Sequence, residues 1–153
     1  MVWPFGNSKA IDPLWLKIAM GELGVKEIPG KKHNPRVLEY QKCCTLMASD
    51  DETAWCSSFV NWCMDLAGEP GTHKANAKSW AKWGGQCIPS RGAITVLWRV
   101  HPSSWKGHVG FFIKQNDKYI WLLGGNQANK VCIRKYPINR VLCHRWPEEV
   151  NGL

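Results

Sequence analysis

Long apolar runs are missing from this sequence. No stretch reaches the roughly 18 to 20 residues of a membrane helix, so no membrane insertion is expected. The opening Met1-Val2-Trp3-Pro4-Phe5-Gly6-Asn7-Ser8-Lys9 lacks the basic start and apolar core of a signal peptide, which predicts synthesis inside the cell. No C-x-x-C pair occurs. The seven cysteines, at 43, 44, 56, 63, 87, 132 and 143, match no zinc spacing, and an odd number leaves at least one thiol unpaired. A reduced protein is expected. There is no internal repeat and no low-complexity tract. Charged residues make up only 21% of the chain against 44% apolar, which excludes a disordered chain. At 153 residues a single domain can bury a core of its own.

Positive charge and tryptophan are in excess. Twenty Lys and Arg against twelve Asp and Glu give a net charge of +8, which favours an anionic partner. The basic residues are scattered, as in Lys31-Lys32, Lys74, Lys78, Lys82, Arg91, Lys114, Lys130, Arg134 and Lys135. With no basic helix and no zinc-finger spacing, nucleic acid is not expected. Of ten tryptophans, most read as core. Loop residues such as Trp105 suit a surface that grips sugars or peptides.

The periodicity predicts helices first and strands afterwards. Asp12-Pro13 is a helix start with Asp as N-cap; Leu14, Trp15, Ile18 and Leu23 form its apolar face and Gly24 its C-cap. Asn34-Pro35 repeats the signal and opens a second helix to about Cys44. Glu27 and His33, in the loop between, read as solvated. A third helix carries Cys56 and ends near Gly68, and a short one spans about 75–83. Strands are expected at 93–98, 108–114, 119–123, 131–136 and 141–146, with turns at 115–118 and 124–129. This is an α+β chain with an antiparallel sheet of about five strands. A loose arm (1–11) precedes one domain (12–147), and a short tail (148–153) follows.

The chemistry centres on Asp50-Asp51-Glu52-Thr53-Ala54-Trp55-Cys56. Thr53 is the expected N-cap, with Asp51 and Glu52 beside the helix start. Phe59, Val60, Cys63, Leu66 and Ala67 would face the core. Most cysteines are inert core filler, and Cys63 reads that way. Cys56, in the first helical turn, meets the positive end of the helix dipole, which favours thiolate. A nucleophilic thiol needs a base, and His108 in Gly107-His108-Val109-Gly110-Phe111-Phe112 is the candidate. Gly107 and Gly110 would allow close approach. A third polar group must hold the imidazole's tautomer. Asn126, after Leu122-Leu123-Gly124-Gly125, is placed for that role. Gln127 and Asn129 are the alternates, Asn129 reading better as turn chemistry. His73, His101 and His144 have no partner motif.

The runs Trp55-Cys56-Ser57-Ser58-Phe59-Val60-Asn61-Trp62-Cys63, Gly107–Phe112 and Leu122–Gln127 resemble CHAP and NlpC-like cysteine amidohydrolases and peptidases. These are papain-like enzymes that mostly cut bacterial peptidoglycan. The similarity spans about Pro13 to Pro147 and looks closest to a small branch sharing a GELGVKEIPG-like segment, here residues 21–30. The resemblance implies a papain-like fold, Cys56 as nucleophile, His108 as general base and Asn126 as orienter. Relatives vary between Asn, Glu, Asp and His at that third position. The backbone N–H of Cys56 would be one oxyanion donor. Many CHAP domains bind calcium through an Asp-rich loop, but Asp50-Asp51-Glu52 lacks the alternating pattern. No metal and no other cofactor is expected.

The implied reaction is cleavage of a peptidoglycan amide, at muramoyl–L-alanine or in the stem or cross-bridge peptide. A monomeric phage endolysin fits: made in the bacterial cytoplasm, acting on the wall after release, and drawn to anionic envelope polymers by its charge. A delivered antibacterial toxin, a protein-modifying amidase or deamidase, and a wall-binding module with a structural Cys56 fit the same residues.

Overall fold

A computed structural model describes residues 11–28, 34–44 and 55–148. Thr53, Asp51, Glu52 and His33 lie outside them. Helix α1 (Leu14–Met20) starts after Pro13 with no side-chain cap. The expected cap, Asp12, instead pairs with Arg91 through two bonds of 2.9 Å. The buried face is Trp15, Leu16 and Ala19, while Leu14 is 56% exposed. Docking on the loop before the sheet sets this roll. The Trp15 indole donates to Gly92 O at 2.7 Å, and Pro13 packs where Gly92 lacks a side chain.

Helix α2 (Pro35–Gln41) starts as its sequence predicts, with the Asn34 side chain accepting from Arg36 N at 2.8 Å. Helix α3 (Cys56–Leu66) is buried from Cys56 through Met64, more completely than one stripe requires. Phe59, Val60 and Cys63 are in the core as expected, but Leu66 is exposed. The buried polar residues of α3 are satisfied, as burial demands. Ser57 Oγ donates to Lys74 O and accepts from the Trp80 indole. Asn61 Oδ1 accepts from His73 N at 2.8 Å. Together they fasten the 71–74 connection across the helix. Residues Ala77–Lys82 form a 3-10 helix.

The sheet follows as β1 (Gly85–Gln86), β2 (Ile94–Trp98), β3 (Gly107–Gln115), β4 (Tyr119–Gln127), β5 (Lys130–Pro137) and β6 (Val141–Trp146). Its order is β1-β6-β2-β3-β4-β5, with each neighbouring pair antiparallel. The fold is α+β, helices before sheet. Six strands replace the expected five because Gly85–Gln86 pairs with Arg145 and Trp146, a strand made by its partner and not by its own pattern. One face, with Ile94, Val96, Val109, Phe111 and Leu123, joins the helices in the main core. A smaller cluster of Leu97, Phe112, Ile120 and Leu122 fills the other side. Burial on both sides explains the unbroken apolar run of β2.

The turn end of the β4–β5 hairpin is bonded to the segment after α1. Gly24 N donates to Val131 O, Val131 N to Val25 O, and Glu27 N to Asn129 O. The Glu27 carboxylate is not merely solvated. It accepts the Trp55 indole N–H at 2.5 Å, which ties this segment to the residue preceding Cys56.

Candidate active site

Strands β3 and β4 pair from Phe111↔Leu123 outward, and among the described residues no β4 partner is paired with Gly107–Gly110. The start of α3 packs beside this parting. Gly125 is required there, because a Cβ on it would lie 2.7 Å from Phe59 Cβ and from the Trp55 ring. A cleft of about 400 Å³ opens at the same place, and both Cys56 and His108 line it. Cys56 comes from the first residue of α3 and His108 from the second of β3. Both are buried, at 5% and 8% exposure.

The third residue differs from the expectation. Strand β4 does not end at Leu123 but continues to Gln127. Gly124 pairs with Cys132 and Gln127 with Lys130, so β4 carries one extra residue there, a bulge. Ala128 and Asn129 then turn the hairpin with φ of 52° and 62°, a left-handed pair that matches the twist of two-residue hairpins. A bulge inverts the alternation of side chains. Without it, Asn126 would share the side of Gly124. With it, Gln127 does. A Cβ on Gly124 would lie 2.8 Å from Gln127 Oε1 and 3.4 Å from His108 Nε2.

His108 Nε2 accordingly meets Gln127 Oε1 at 2.9 Å. Asn126, at φ 57°, lines the cleft, and among the described residues no hydrogen bond joins it to His108. The place beside the imidazole expected of Asn126 is taken by the Gln127 side chain. Asn129 also lines the cleft but belongs to the turn. The Gln127 amide cannot turn round. Its nitrogen donates to Leu122 O at 3.2 Å and Cys132 O at 2.6 Å, so the oxygen must face the imidazole. An oxygen facing Nε2 requires the proton on Nε2 and leaves Nδ1 with its lone pair. The Tyr136 hydroxyl, 3.2 Å from Nε2, completes the surround. Burial raises the Tyr136 pKa first of all, so it stays a neutral phenol.

A CHAP domain sequence model matches residues 48–126. The chain belongs to the CHAP domain family. CHAP domains are generally cysteine- and histidine-dependent amidases or peptidases of the peptidoglycan-hydrolase type. No curated protein matches the chain. The CHAP match takes in Cys56 and His108 and stops one residue short of Gln127.

The electrostatics of this CHAP site are those of a buried pair. Burial pushes the Cys56 thiol up, against backbone N–H groups of Val109, Ser57 and Cys56 and the charge of Arg99. Burial also pushes His108 down to about 4, against the Gln127 bond and with help from Arg99, Arg134 and Arg140. Burial thus opposes charge on both members of the pair. The other predicted residues lie elsewhere. Cys63 is core, and all seven cysteines are unpaired. His73 pairs with Asp65 at 3.0 Å. His101 bonds Ser103 at the surface. Half-buried His144 bonds Thr95 and is held down to about 4 by burial. Tyr136, Arg99, Arg134, Arg140 and Trp98 line the cleft as well. No motif marks them, and only the fold assembles them. Among the described residues no His, Cys, Asp and Glu cluster fits a metal, and no helix is long and apolar enough to cross a membrane.

The buried imidazole links stability to acidity. The unfolded chain protonates His108 near the ordinary value of 6.5, the folded protein only near about 4. Above 6.5 both states are neutral there. Between 6.5 and 4 the unfolded state holds the extra proton, so stability falls as pH falls. The loss from His108 alone reaches about 3 kcal/mol. Urea unfolding at pH 7.5 and 4.5 measures it, with a His108→Gln variant expected to show the flatter dependence. Equal acid losses in both proteins would mean that His108 carries none of it.

Proposed function

We propose that this CHAP domain hydrolyses an amide bond of peptidoglycan, with Cys56 as nucleophile and His108 as general base. The observation that supports it best is the fixed tautomer of His108, which leaves the lone pair on Nδ1 of a residue that lines the same cleft as Cys56. As the sulfur attacks the carbonyl carbon, Nδ1 takes the thiol proton. The C–N bond then breaks, and Nδ1 gives that proton to the leaving amine. Water, deprotonated by the same nitrogen, releases the acyl group and restores the thiol. The Cys56 backbone N–H is one donor to the oxyanion. Gln127 takes the orienting role, and Asn126 forms part of the cleft wall.

In this reading the protein is a monomeric, bacteriolytic phage endolysin made in the bacterial cytoplasm. Its net charge of +8 favours approach to an anionic envelope. The test is digestion of purified sacculi with mass spectrometry of the soluble products. Free stem peptides are expected from a muramoyl–L-alanine amidase, and disaccharide-peptides with a new peptide terminus from an endopeptidase. No soluble product from any wall chemotype would refute the reading and leave a protein-modifying amidase or a binding module.

A further inference from the structure

The chain has six arginines, and they divide evenly. Arg36 pairs with Glu22 and Glu39, Arg91 with Asp12, and Arg145 donates to the Trp83 and Gly84 carbonyls. Each of those three has a structural task. Arg99, Arg134 and Arg140 line the cleft beside Cys56 and His108. Among the described residues no carboxylate pairs with any of them. Arg140 lies over the Trp98 ring, 5.4 Å from its centroid, and this contact holds the guanidinium at the cleft wall. The three come from separate elements: the residue after β2, the middle of β5, and the turn before β6. They are 35 and 6 residues apart in sequence and meet only because of the sheet order. Among the described residues no Asp or Glu lines the cleft.

We propose that Arg99, Arg134 and Arg140 form a carboxylate-recognition subsite, and that the substrate is a peptide bearing a free carboxylate close to the amide that Cys56 attacks. This rests on the function proposed above and names which peptides it serves. Guanidinium forks match carboxylates in shape and make charge-assisted bonds. A cleft lined by one sign of charge also concentrates the field that draws such a group in. Arg99 lies within the stretch matched by the family model and Arg134 and Arg140 beyond it, so the match does not by itself supply the three together.

The test uses a pair of wall-derived peptides identical except that the carboxylate flanking the scissile amide is free in one and a primary carboxamide in the other. Wild type is expected to cleave the acid form with a kcat/KM at least about tenfold higher. Arg134→Gln and Arg99→Gln should each reduce that ratio, and the double variant should bring it close to one while still cleaving the amide form. Binding of both peptides to Cys56→Ala, followed by calorimetry at low and high salt, asks the same question without catalysis. A preference for the acid peptide that weakens with salt and is lost with Arg99→Gln and Arg134→Gln supports the subsite even if no cleavage occurs, in which case the hydrolase reading alone fails. Cleavage of both peptides at equal efficiency would overturn the subsite while leaving the hydrolase reading intact. So would an undiminished acid preference in the double variant. If neither peptide is cleaved and both bind Cys56→Ala equally or not at all, the subsite is overturned too. Free inorganic phosphate competing better than acetate would reassign the arginines to a phosphate-bearing polymer and likewise overturn the carboxylate assignment.

Discussion

A Cys56→Ala variant is expected to release no fragments from sacculi, a loss of roughly 10⁴-fold or more in rate. Cys56→Ser is expected to be as inactive, because a hydroxyl gives up its proton far less readily than a thiol. Two effects oppose each other at this thiol. The start of α3 offers the helix dipole, worth about 0.3–1 kcal/mol. Burial costs a charged group more than that, up to about 3–5 pKa units when complete. With Cys56 only 5% exposed, burial wins, and its thiol is pushed up despite three backbone N–H groups. Burial thus works against the thiolate that the helix start alone favours. In the proposed mechanism proton transfer to His108 accompanies attack, so His108→Ala is expected to lose as much activity as Cys56→Ala. Release of fragments by Cys56→Ala at the wild-type rate, with the circular dichroism of both proteins equal, would remove Cys56 from the chemistry.

Local sequence carried much of this architecture and little of its convergence. Helix α2 follows from its Asn34 cap, the end of α3 from the Gly68 to Pro70 breakers, and strands β2, β3, β5 and β6 from β-branched and aromatic runs that act over a few residues; α3 begins after Trp55 with no side-chain cap. Cys56 and His108 share one cleft as the motif order implied. The roll of α1 was not legible, because its apolar residues cover most of the circumference and only the docking of Trp15 on Gly92 selects a face. Ser57, Ser58 and Asn61 lie on the buried side of α3 because the 71–74 connection supplies bonds to Ser57 and Asn61, and Ser58 meets Cys44. The 44-to-58 and 57-to-74 separations hide those contacts in the sequence. Strand β4 was cut short at Leu123 because Gly124-Gly125-Asn126 reads as a turn. The chain instead uses those residues for a bulge, and one extra residue exchanges Asn126 for Gln127. The arginines of the cleft looked scattered for the same reason: only the sheet order gathers them.

That one-residue exchange makes the sharpest contrast between neighbouring positions. Gln127→Leu keeps the volume and removes the acceptor from Nε2–H. The imidazole is then free to carry its proton on Nδ1, where it blocks the base. A loss of roughly 10²–10⁴-fold in kcat is expected, the size seen when a general base loses its orienting partner. Asn126→Ala removes a half-exposed side chain with no bond to His108, and a change below about tenfold is expected. Gln127→Glu separates orientation from charge. One carboxylate oxygen can still accept from Nε2–H, and the added negative charge favours the imidazolium, so the His108 pKa should rise from about 4; the other oxygen loses the donation to the Leu122 and Cys132 carbonyls, which lowers stability without moving the acid limb. Activity requires the neutral imidazole and is lost as pH falls through that value. The acid limb of kcat/KM should therefore lie at higher pH in Gln127→Glu than in wild type, with activity recovering in alkali. A merely structural role for Gln127 would lower activity at every pH and leave the limb in place. Should Asn126→Ala lose as much as Gln127→Leu, with both proteins folded, the orienting role returns to Asn126.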